Sequence, residues 1–248
     1  DSLSTKHIQD AKKQIVSIVA LCVLTIFLSI VAIGQGSSSS LDMWKTVKII
    51  FGIDEPDKIQ SNILWELRFP RILMAIIGGI ALATAGALMQ GCLGNPLVSP
   101  LTLGVSSGAV LGSSLAIVLG FSVVNIPELA IVANAFFFSL IVVFIIIKLG
   151  DMKSISPESY ILIGIAITFI TGAIVSILQY FATDEQLSQL AHWSFGSLSR
   201  PNLVNVLWIS VAVIGLLPTA LKWSWDLNAL SLGGDDFAIS TGVNPRQI

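Results

Sequence analysis

The chain has 248 residues, of which 54% are hydrophobic and 11% are charged, and its formal net charge at pH 7 is −2. Soluble domains average about 45–50% apolar and about 25% charged residues, so this composition indicates an integral membrane protein. A slightly acidic chain has no basic surface for phosphate backbones, which argues against nucleic acid as a partner.

Six apolar segments are long enough to cross a bilayer, whose ~30 Å hydrocarbon core requires about 20 helical residues. None of them contains Asp, Glu, Lys, Arg or His. The segments are 15–33, 72–91, 101–120, 129–147, 160–182 and 203–221. The sequence therefore predicts an all-α, polytopic membrane bundle with six visible transmembrane helices in a single domain, 1–248.

The first span follows Lys6, Lys12 and Lys13 and could be mistaken for a signal peptide. Its apolar core exceeds the ~7–15 residues of a signal h-region, and no small-residue cleavage site follows, so a retained span is favoured. The lysines favour a cytoplasmic N-terminus. Over the whole chain the basic residues divide almost equally between the two sides, so charge alone decides little.

Two longer connections are predicted to carry short helices outside the spans. Segment 34–67 contains a half-apolar stretch at 41–53 that predicts a surface helix. Segment 187–196 predicts an interfacial helix ended by Gly196. Its Trp193 and Phe195 suit the membrane boundary, where amphipathic aromatic rings accumulate.

The motif Arg68-Phe69-Pro70-Arg71 looks like a helix start, because Pro is tolerated in the first helical turn. A cation there opposes the helix macrodipole by about 0.3–1 kcal/mol, so two guanidinium groups need a reason. They could anchor to lipid phosphate or pair with Glu66. Alternatively, they form a bidentate dock for carboxylates of a partner protein, a task that Arg geometry suits.

Small residues recur at every fourth position in two spans. Such ladders place small side chains on one helix face and let helix backbones approach closely. They are Gly79, Ala83 and Ala87 in the second span, and Gly104, Gly108 and Gly112 in the third. Between these spans, Pro96 and Pro100 predict a turn in which Gln90 and Asn95 satisfy freed backbone groups.

The segment 225–248 is too polar to span a membrane, yet it keeps an apolar stripe. Gly233-Gly234 predicts a break, and Asp235-Asp236 is well placed to begin a second short helix. Two short helices joined by a glycine turn would form a rigid protrusion. It could rest on the membrane or act as a lever that a soluble partner grips.

The spans lack the ionisable relays that proton-coupled transporters require. A sodium-coupled carrier or a neutral-solute channel stays open, while an external energy source is favoured. The lack of metal-ligating side chains in the pore argues against transport of a naked metal ion. No P-loop occurs, so the chain is not expected to be an enzyme or to hold a cofactor, and ATP hydrolysis would belong to another subunit.

Several ordered motifs together resemble the FecCD family, whose members are permeases of ATP-binding-cassette (ABC) importers for iron-siderophores, haem and vitamin B12. The resemblance runs from about Leu67 to the last residue. Its motifs lie at 68–71, 86–90, 95–97, 103–109, 193–198 and 227–233. The resemblance implies a ten-helix type II importer permease in the inner membrane, so the chain is expected to be a fragment that lacks the last four spans.

The resemblance also implies roles for particular residues. Arg68 and Arg71 would face the periplasm and meet glutamates of a periplasmic or lipid-anchored substrate-binding protein. Coupling helices at 226–242 would enter a cleft of the ABC ATPase subunits, with the turn formed by Leu230, Leu232, Gly233, Asp235 and Asp236. The cytoplasmic gate would include Ser154, Ser156 and Pro157, and the fifth span and the Trp193 segment would line the path.

The implied mechanism is alternating access in a homodimer of permease subunits embedded in lipid, with an iron-siderophore or related chelate as substrate. Two rival functions are a secondary carrier or channel for a neutral solute, and a membrane scaffold. A carrier or channel would transport without nucleotide. A scaffold would have no need of a polar protrusion at the end of a span.

Overall fold

A computed structural model describes residues 2–36, 41–150, 157–198 and 201–244, and every regular element in these ranges is helical. The predicted all-α class is therefore confirmed. The helices are α1 (Ser2–Gly34), α2 (Met43–Ile50), α3 (Lys58–Asn62), α4 (Phe69–Leu93), α5 (Val105–Leu119), α6 (Pro127–Gly150), α7 (Pro157–Phe181), α8 (Asp184–Phe195) and α9 (Leu203–Ser240), with a π-helical turn at Ile63–Arg68.

Backbone contacts group the chain into two compact units. Unit 1 comprises Asp1–Ile77 and Leu198–Ser210, and unit 2 comprises Gly78–Ser197 and Val211–Ile248. The two units share α4 and α9, because each of these helices begins in unit 1 and ends in unit 2. That the chain forms a single permease domain stays a prediction.

Within the described residues, five helices are long and apolar enough to cross a membrane. They are Gln9–Gly34, Lys58–Leu93, Leu129–Gly150, Glu158–Phe181 and Leu203–Gly234. The remaining predicted span, 101–120, is shorter than expected, because α5 has 15 residues and thus a length of roughly 22 Å. Irregular backbone at membrane depth is tolerated where protein surrounds it, and α5 packs against α6, α7 and α8.

In unit 2, α5 and α6 pack closely together because two residues of α5 at their contact are glycines, which have no side chain. A Cβ atom on Gly108 would lie 2.7 Å from Cγ2 of Val142 and 2.9 Å from the carbonyl oxygen of Phe138. A Cβ atom on Gly112 would overlap the carbonyl oxygen of Asn134. The predicted close approach of helix backbones is thus confirmed at Gly108 and Gly112, both of which face α6.

Gly104, the third member of that ladder, faces α7 instead of α6. It precedes α5 with a φ of 78°, and a Cβ atom there would lie 2.9 Å from the carbonyl oxygen of Gly164. Conversely, a Cβ atom on Gly164 would lie 2.7 Å from Cα of Leu103. The α5 and α7 backbones therefore meet where both helices lack a side chain. Leu103 continues this contact into a core cluster with Val98, Val142 and Ile146.

The second predicted ladder behaves differently. Gly79, Ala83 and Ala87 are exposed, and a Cβ atom on Gly79 would meet no neighbouring atom within 4 Å. Within the described residues, this face of α4 is not packed against another helix. Small residues at every fourth position therefore do not by themselves identify the helix that covers them.

The connection from α4 to α5 is the turn that its prolines predicted. The side-chain amide of Gln90 donates to the carbonyl of Pro96 (2.8 Å), and the side-chain oxygen of Asn95 accepts from the backbone N–H of Leu97 (2.9 Å). The predicted roles of Gln90 and Asn95 in satisfying backbone groups are confirmed. The side chain of Val98 is fully buried and anchors the turn, whereas the neighbouring side chain of Leu97 is exposed on its surface.

Two polar side chains fix the other end of α5. The buried Asn134 donates to the carbonyls of Phe121 (2.6 Å) and Gly112 (3.3 Å), and it accepts from the N–H of Val123 (2.8 Å). From α8, the Gln186 amide donates to the carbonyls of Ile117 (3.1 Å) and Val118 (3.3 Å). The two Gln186 bonds satisfy carbonyls in the last turn of α5 that have no partner within the helix, and the Asn134 bonds hold the connection that follows α5.

The predicted interfacial helix is α8, which begins a few residues earlier than expected. Thr183 and Gln186 form a capping box, in which the Thr183 hydroxyl accepts from the Gln186 N–H (3.3 Å) and the Gln186 side chain accepts from the Thr183 N–H (3.0 Å). Gly196, with a φ of 71°, follows the last helical residue as predicted. Trp193 is half-buried and Phe195 is exposed.

Replacing Gly112 by alanine should push α5 away from α6, because the new methyl group would overlap the Asn134 carbonyl oxygen. Overpacking of this kind costs about 1–3 kcal/mol, so we expect Gly112→Ala to lower the free energy of unfolding of the full-length protein by that amount in a denaturant titration. Gly172→Ala in α7 is the matched control, since its Cβ atom meets no atom within 4 Å. An equal loss in both variants would contradict the packing account.

Candidate partner-docking and coupling sites

The helix that carries the two arginines begins ten residues before Arg68, so the expectation of a helix start at Arg68 is wrong. A continuous helical segment runs from Lys58 to Leu93. It begins after Asp57, whose N–H donates to the side chain of Gln60 (3.1 Å). The macrodipole penalty inferred from the sequence therefore does not apply at Arg68.

Pro70 lies inside this helix, where a proline ring clashes with the carbonyl four residues earlier. The π-helical turn Ile63–Arg68 ends two residues before Pro70 and has i→i+5 backbone hydrogen bonds, which relieve this clash. Phe69 accordingly donates its N–H to the carbonyl of Leu64, five residues earlier. Such π-turns are rare and occur frequently at functional sites.

Arg68 is the last residue of that turn, and only 8% of it is exposed. One nitrogen of its guanidinium, Nη1, donates to the carbonyls of Ile33 (2.8 Å) and Gly34 (3.3 Å). The other, Nη2, donates to the carbonyl of Leu41 (3.2 Å). A cation at the C-terminal end of α1 is favoured by the macrodipole of that helix.

Arg71 differs from Arg68 in being exposed. Glu66, the acidic partner that the sequence offered for either arginine, is also exposed. Among the described residues, no carboxylate oxygen lies within 4.0 Å of a side-chain nitrogen of Arg68 or Arg71. Of the two arginines, only Arg71 is exposed.

The predicted coupling segment is the end of α9, which bends at Gly234. This residue has φ 68° and ψ −164°, a backbone conformation that is essentially restricted to glycine. The helix resumes after Gly234 and ends at Ser240, where the N–H of Val243 donates to the carbonyl of Ala238 (2.9 Å). The predicted break is therefore present, although the first of the two short helices is the end of α9 itself.

The residues of this segment divide into buried and exposed positions. Leu227, Ala229 and Ala238 are buried, and a Cβ atom on Gly91 of α4 would contact Cβ of Leu227 at 3.4 Å. Leu230 is half-buried, whereas Gly233 and Asp236 are exposed and Leu232 is 80% exposed. Asp235 lies within the same helical stretch. An exposed leucine next to a fixed bend suits insertion into a partner.

Most of the predicted cytoplasmic gate lies outside the residues that the structure describes. Ser154 and Ser156 lie outside the described residues, and Pro157 is the first residue of α7. Their role as a cytoplasmic gate stays a prediction.

A profile of the FecCD transport family matches residues 21–248 of the chain. The chain belongs to the FecCD transport family. The FecCD profile covers every element described above except the beginning of α1. FecCD proteins are membrane transport subunits, so the family resemblance drawn from the ordered motifs is confirmed.

Individual relatives agree with this FecCD assignment. A Methanocaldococcus jannaschii protein named as an ABC transporter permease is 36% identical over 245 residues, covering 95% of this chain and 68% of its own. The hemin transport system permease of Yersinia pestis is 36% identical over 227 residues, covering 90% of this chain and 66% of its own. The chain thus spans about two thirds of the length of these relatives.

A solved structure has the same fold as this FecCD chain. It is described as an inward-facing conformation of a transporter assigned to the metal-chelate type of ABC transporter. The TM-score is 0.74 at 29% sequence identity, and the match covers 92% of this chain and 68% of the other. The polytopic membrane bundle predicted from the sequence is confirmed by this similarity.

Sequence reasoning missed three hydrogen-bonded features of the FecCD chain. The bonds of Arg68 join residues that are 27 to 35 positions apart, and no local pattern announces them. The capping box of α8 was readable, because Thr183 followed three residues later by Gln186 is its usual signature. The hydrogen bonds that the Gln186 side chain donates to α5 have no such signature in the sequence.

Gly234→Ala should strain the bend of α9, because a Cβ atom disfavours its backbone conformation by about 1–3 kcal/mol. We expect backbone amides of residues 235–243 to exchange hydrogen about 5- to 100-fold faster in the full-length protein. Gly215→Ala is the matched control in the same helix, since its Cβ atom would meet no atom within 4 Å. Unchanged exchange in Gly234→Ala would show that the bend does not require glycine.

Proposed function

We propose that this chain is the membrane-spanning permease subunit of a binding-protein-dependent ABC importer for a metal chelate. The observation that carries the proposal is the FecCD match over residues 21–248. The similarity to a metal-chelate type transporter structure and to a hemin permease supports the substrate class. Iron-siderophores, haem and related chelates all fall within it, with an iron-siderophore as the first candidate.

The proposed orientation places the N-terminus in the cytoplasm of a cell whose plasma membrane the chain crosses repeatedly. The three lysines before the first span support this orientation. Successive crossings then carry Arg68 and Arg71 to the outside and return the turn at Asn95 to the inside. The bend at Gly234 lies on the inside by the same alternation.

On the outer side, we propose that a loaded substrate-binding protein docks on the charges of the Arg68 to Arg71 segment. The exposure of Arg71 supports a direct contact of its guanidinium with a carboxylate of the binding protein. Docking by Arg68 would require it to exchange its three carbonyl partners for a carboxylate. Complementary charges of this kind steer association and set the register of the two proteins.

On the inner side, we propose that the end of α9 couples the permease to a separate ABC ATPase subunit. The exposed side chain of Leu232 and the bend formed by Gly233 and Gly234 support insertion into an apolar cleft of the ATPase. Leu230, Asp235 and Asp236 flank this bend. Leu227 lies close to Gly91, since a Cβ atom added to Gly91 would be 3.4 Å from Cβ of Leu227, and this proximity offers a route by which a displacement of α9 reaches α4.

The proposed mechanism is alternating access in a dimer of permease subunits, with the homodimer as the simplest assembly. Closure of two ATPase subunits on ATP would displace the coupling segments and switch the gates, including the one proposed at Ser154, Ser156 and Pro157. The permease itself performs no covalent chemistry in this scheme. Its task is to turn the movement of α9 into a change of access.

Charge reversal at Arg71 tests the docking step. We expect Arg71→Glu in the full-length permease, assembled with its ATPase subunits, to raise the concentration of binding protein that gives half-maximal ATPase stimulation at least about tenfold, because a carboxylate would then face a carboxylate. The measurement is a titration of ATPase activity with the binding protein of the same transport system.

Lys58→Glu is the matched control for this titration, because Lys58 is an exposed basic residue in the same extramembrane stretch. The same charge change at Lys58 should leave the stimulation curve in place. Unchanged stimulation of Arg71→Glu would contradict the docking step, and equal shifts in both variants would reduce the effect to net charge.

A further inference from the structure

We propose that Arg68 is a positioning residue that clasps the C-terminal end of α1 to the start of α2, which leaves Arg71 as the arginine that a partner carboxylate meets. The second half of this statement rests on the proposed importer function. The first half concerns the permease chain alone and can be tested without any partner.

The hydrogen bonds of the Arg68 side chain are the first evidence for this positioning role. The guanidinium of Arg68 bonds two stretches of backbone, one at Ile33 and Gly34 and the other at Leu41. A planar guanidinium offers five N–H donors in a fixed fork and suits several carbonyls at once. The two stretches are not adjacent along the chain, so one side chain joins the end of α1 to the residue before Asp42.

Gly36 provides a second, independent observation. A Cβ atom on Gly36 would overlap Nη2 of Arg68 and lie 2.8 Å from its Cζ. The backbone at Gly36 therefore runs directly over the guanidinium, where only a residue without a side chain fits. The backbone of Gly36 thus covers the guanidinium of Arg68.

The clasp is joined to a small apolar core. Leu41 and Leu64 are each 1% exposed and form a cluster with Ile49 of α2. Asp42, the next residue after Leu41, caps α2 by accepting from the N–H of Lys45 (2.9 Å). Fixing the carbonyl of Leu41 therefore fixes the residue from which α2 begins.

The same bonds limit what Arg68 can do for a partner. If the guanidinium turned outward, the carbonyls of Ile33, Gly34 and Leu41 would lose their donor, and two of these three bonds are buried. Buried carbonyls without a donor are disfavoured. Arg71, which is exposed and three residues further along the helix, can meet a carboxylate without that loss.

The experiment compares four variants of the full-length permease. Arg68→Gln removes the charge and most of the donors of the clasp, whereas Gly36→Ala keeps every charge and displaces the guanidinium. Gln35→Ala is the matched control for Gly36→Ala, since Gln35 is the exposed neighbouring residue. Arg71→Gln is the control for loss of an arginine charge.

The first measurement is amide hydrogen exchange of residues 41–50 in the purified permease without partners. We expect at least about tenfold faster exchange in Arg68→Gln and in Gly36→Ala, because the start of α2 is released in both. We expect no change in Gln35→Ala or Arg71→Gln. If exchange were unchanged both in Gly36→Ala and in Arg68→Gln, the proposal that Arg68 holds the start of α2 would be wrong. If Arg68→Gln does not fold, Gly36→Ala alone decides.

The second measurement is binding-protein stimulation of ATPase activity in the assembled transporter at low and at high salt. Weaker stimulation that depends on salt is expected in Arg71→Gln. If Arg68→Gln showed the same salt-dependent loss without faster exchange, Arg68 would be a docking residue and the proposal would be wrong. If exchange were faster in Arg68→Gln but Arg71→Gln kept full stimulation, the two results would lead to different conclusions. The clasp formed by Arg68 would be supported, and the proposed docking at Arg71 would be wrong.

Discussion

The fold of unit 2 depends on the close approach of helix backbones where glycine replaces a side chain. Gly108 and Gly112 bring α5 against the backbone of α6, and Gly164 brings α7 against the start of α5. Lipid tails are as apolar as leucine, so helices in a bilayer are held by van der Waals packing and hydrogen bonds instead of a hydrophobic force. Close approach increases the number of those contacts, and it lets the short α5 pack against the longer helices α6 and α7.

Polar side chains then secure the places where the backbone leaves a helix. Arg68 bonds the end of α1, Asn134 bonds the connection after α5, and Gln186 bonds the last carbonyls of α5. In each case the donor belongs to another element than the carbonyl. These three residues therefore determine how extramembrane segments are held on the helix ends, where an importer permease must bind partners and transmit their movements.

Most of the features that the sequence predicted correctly depend on local spacing, and most of those it missed depend on contacts between residues far apart in the chain. Period-four glycines predicted the α5 contact, and Gly196 predicted the end of α8, because both follow from helix geometry and backbone conformation. The start of the arginine-bearing helix was misplaced since Pro70 imitates a first turn. The burial of Arg68 arises from contacts with residues 27 to 35 positions away, which no residue spacing encodes.

The central claim is that this chain is a passive path whose access is switched by ATP hydrolysis elsewhere. The most direct measurement is uptake of a labelled ferric chelate into proteoliposomes that contain the full-length permease. The account predicts uptake only when the ATPase subunits, ATP and the loaded substrate-binding protein are all present. Uptake by the permease alone, without nucleotide, would contradict it and identify a carrier or channel.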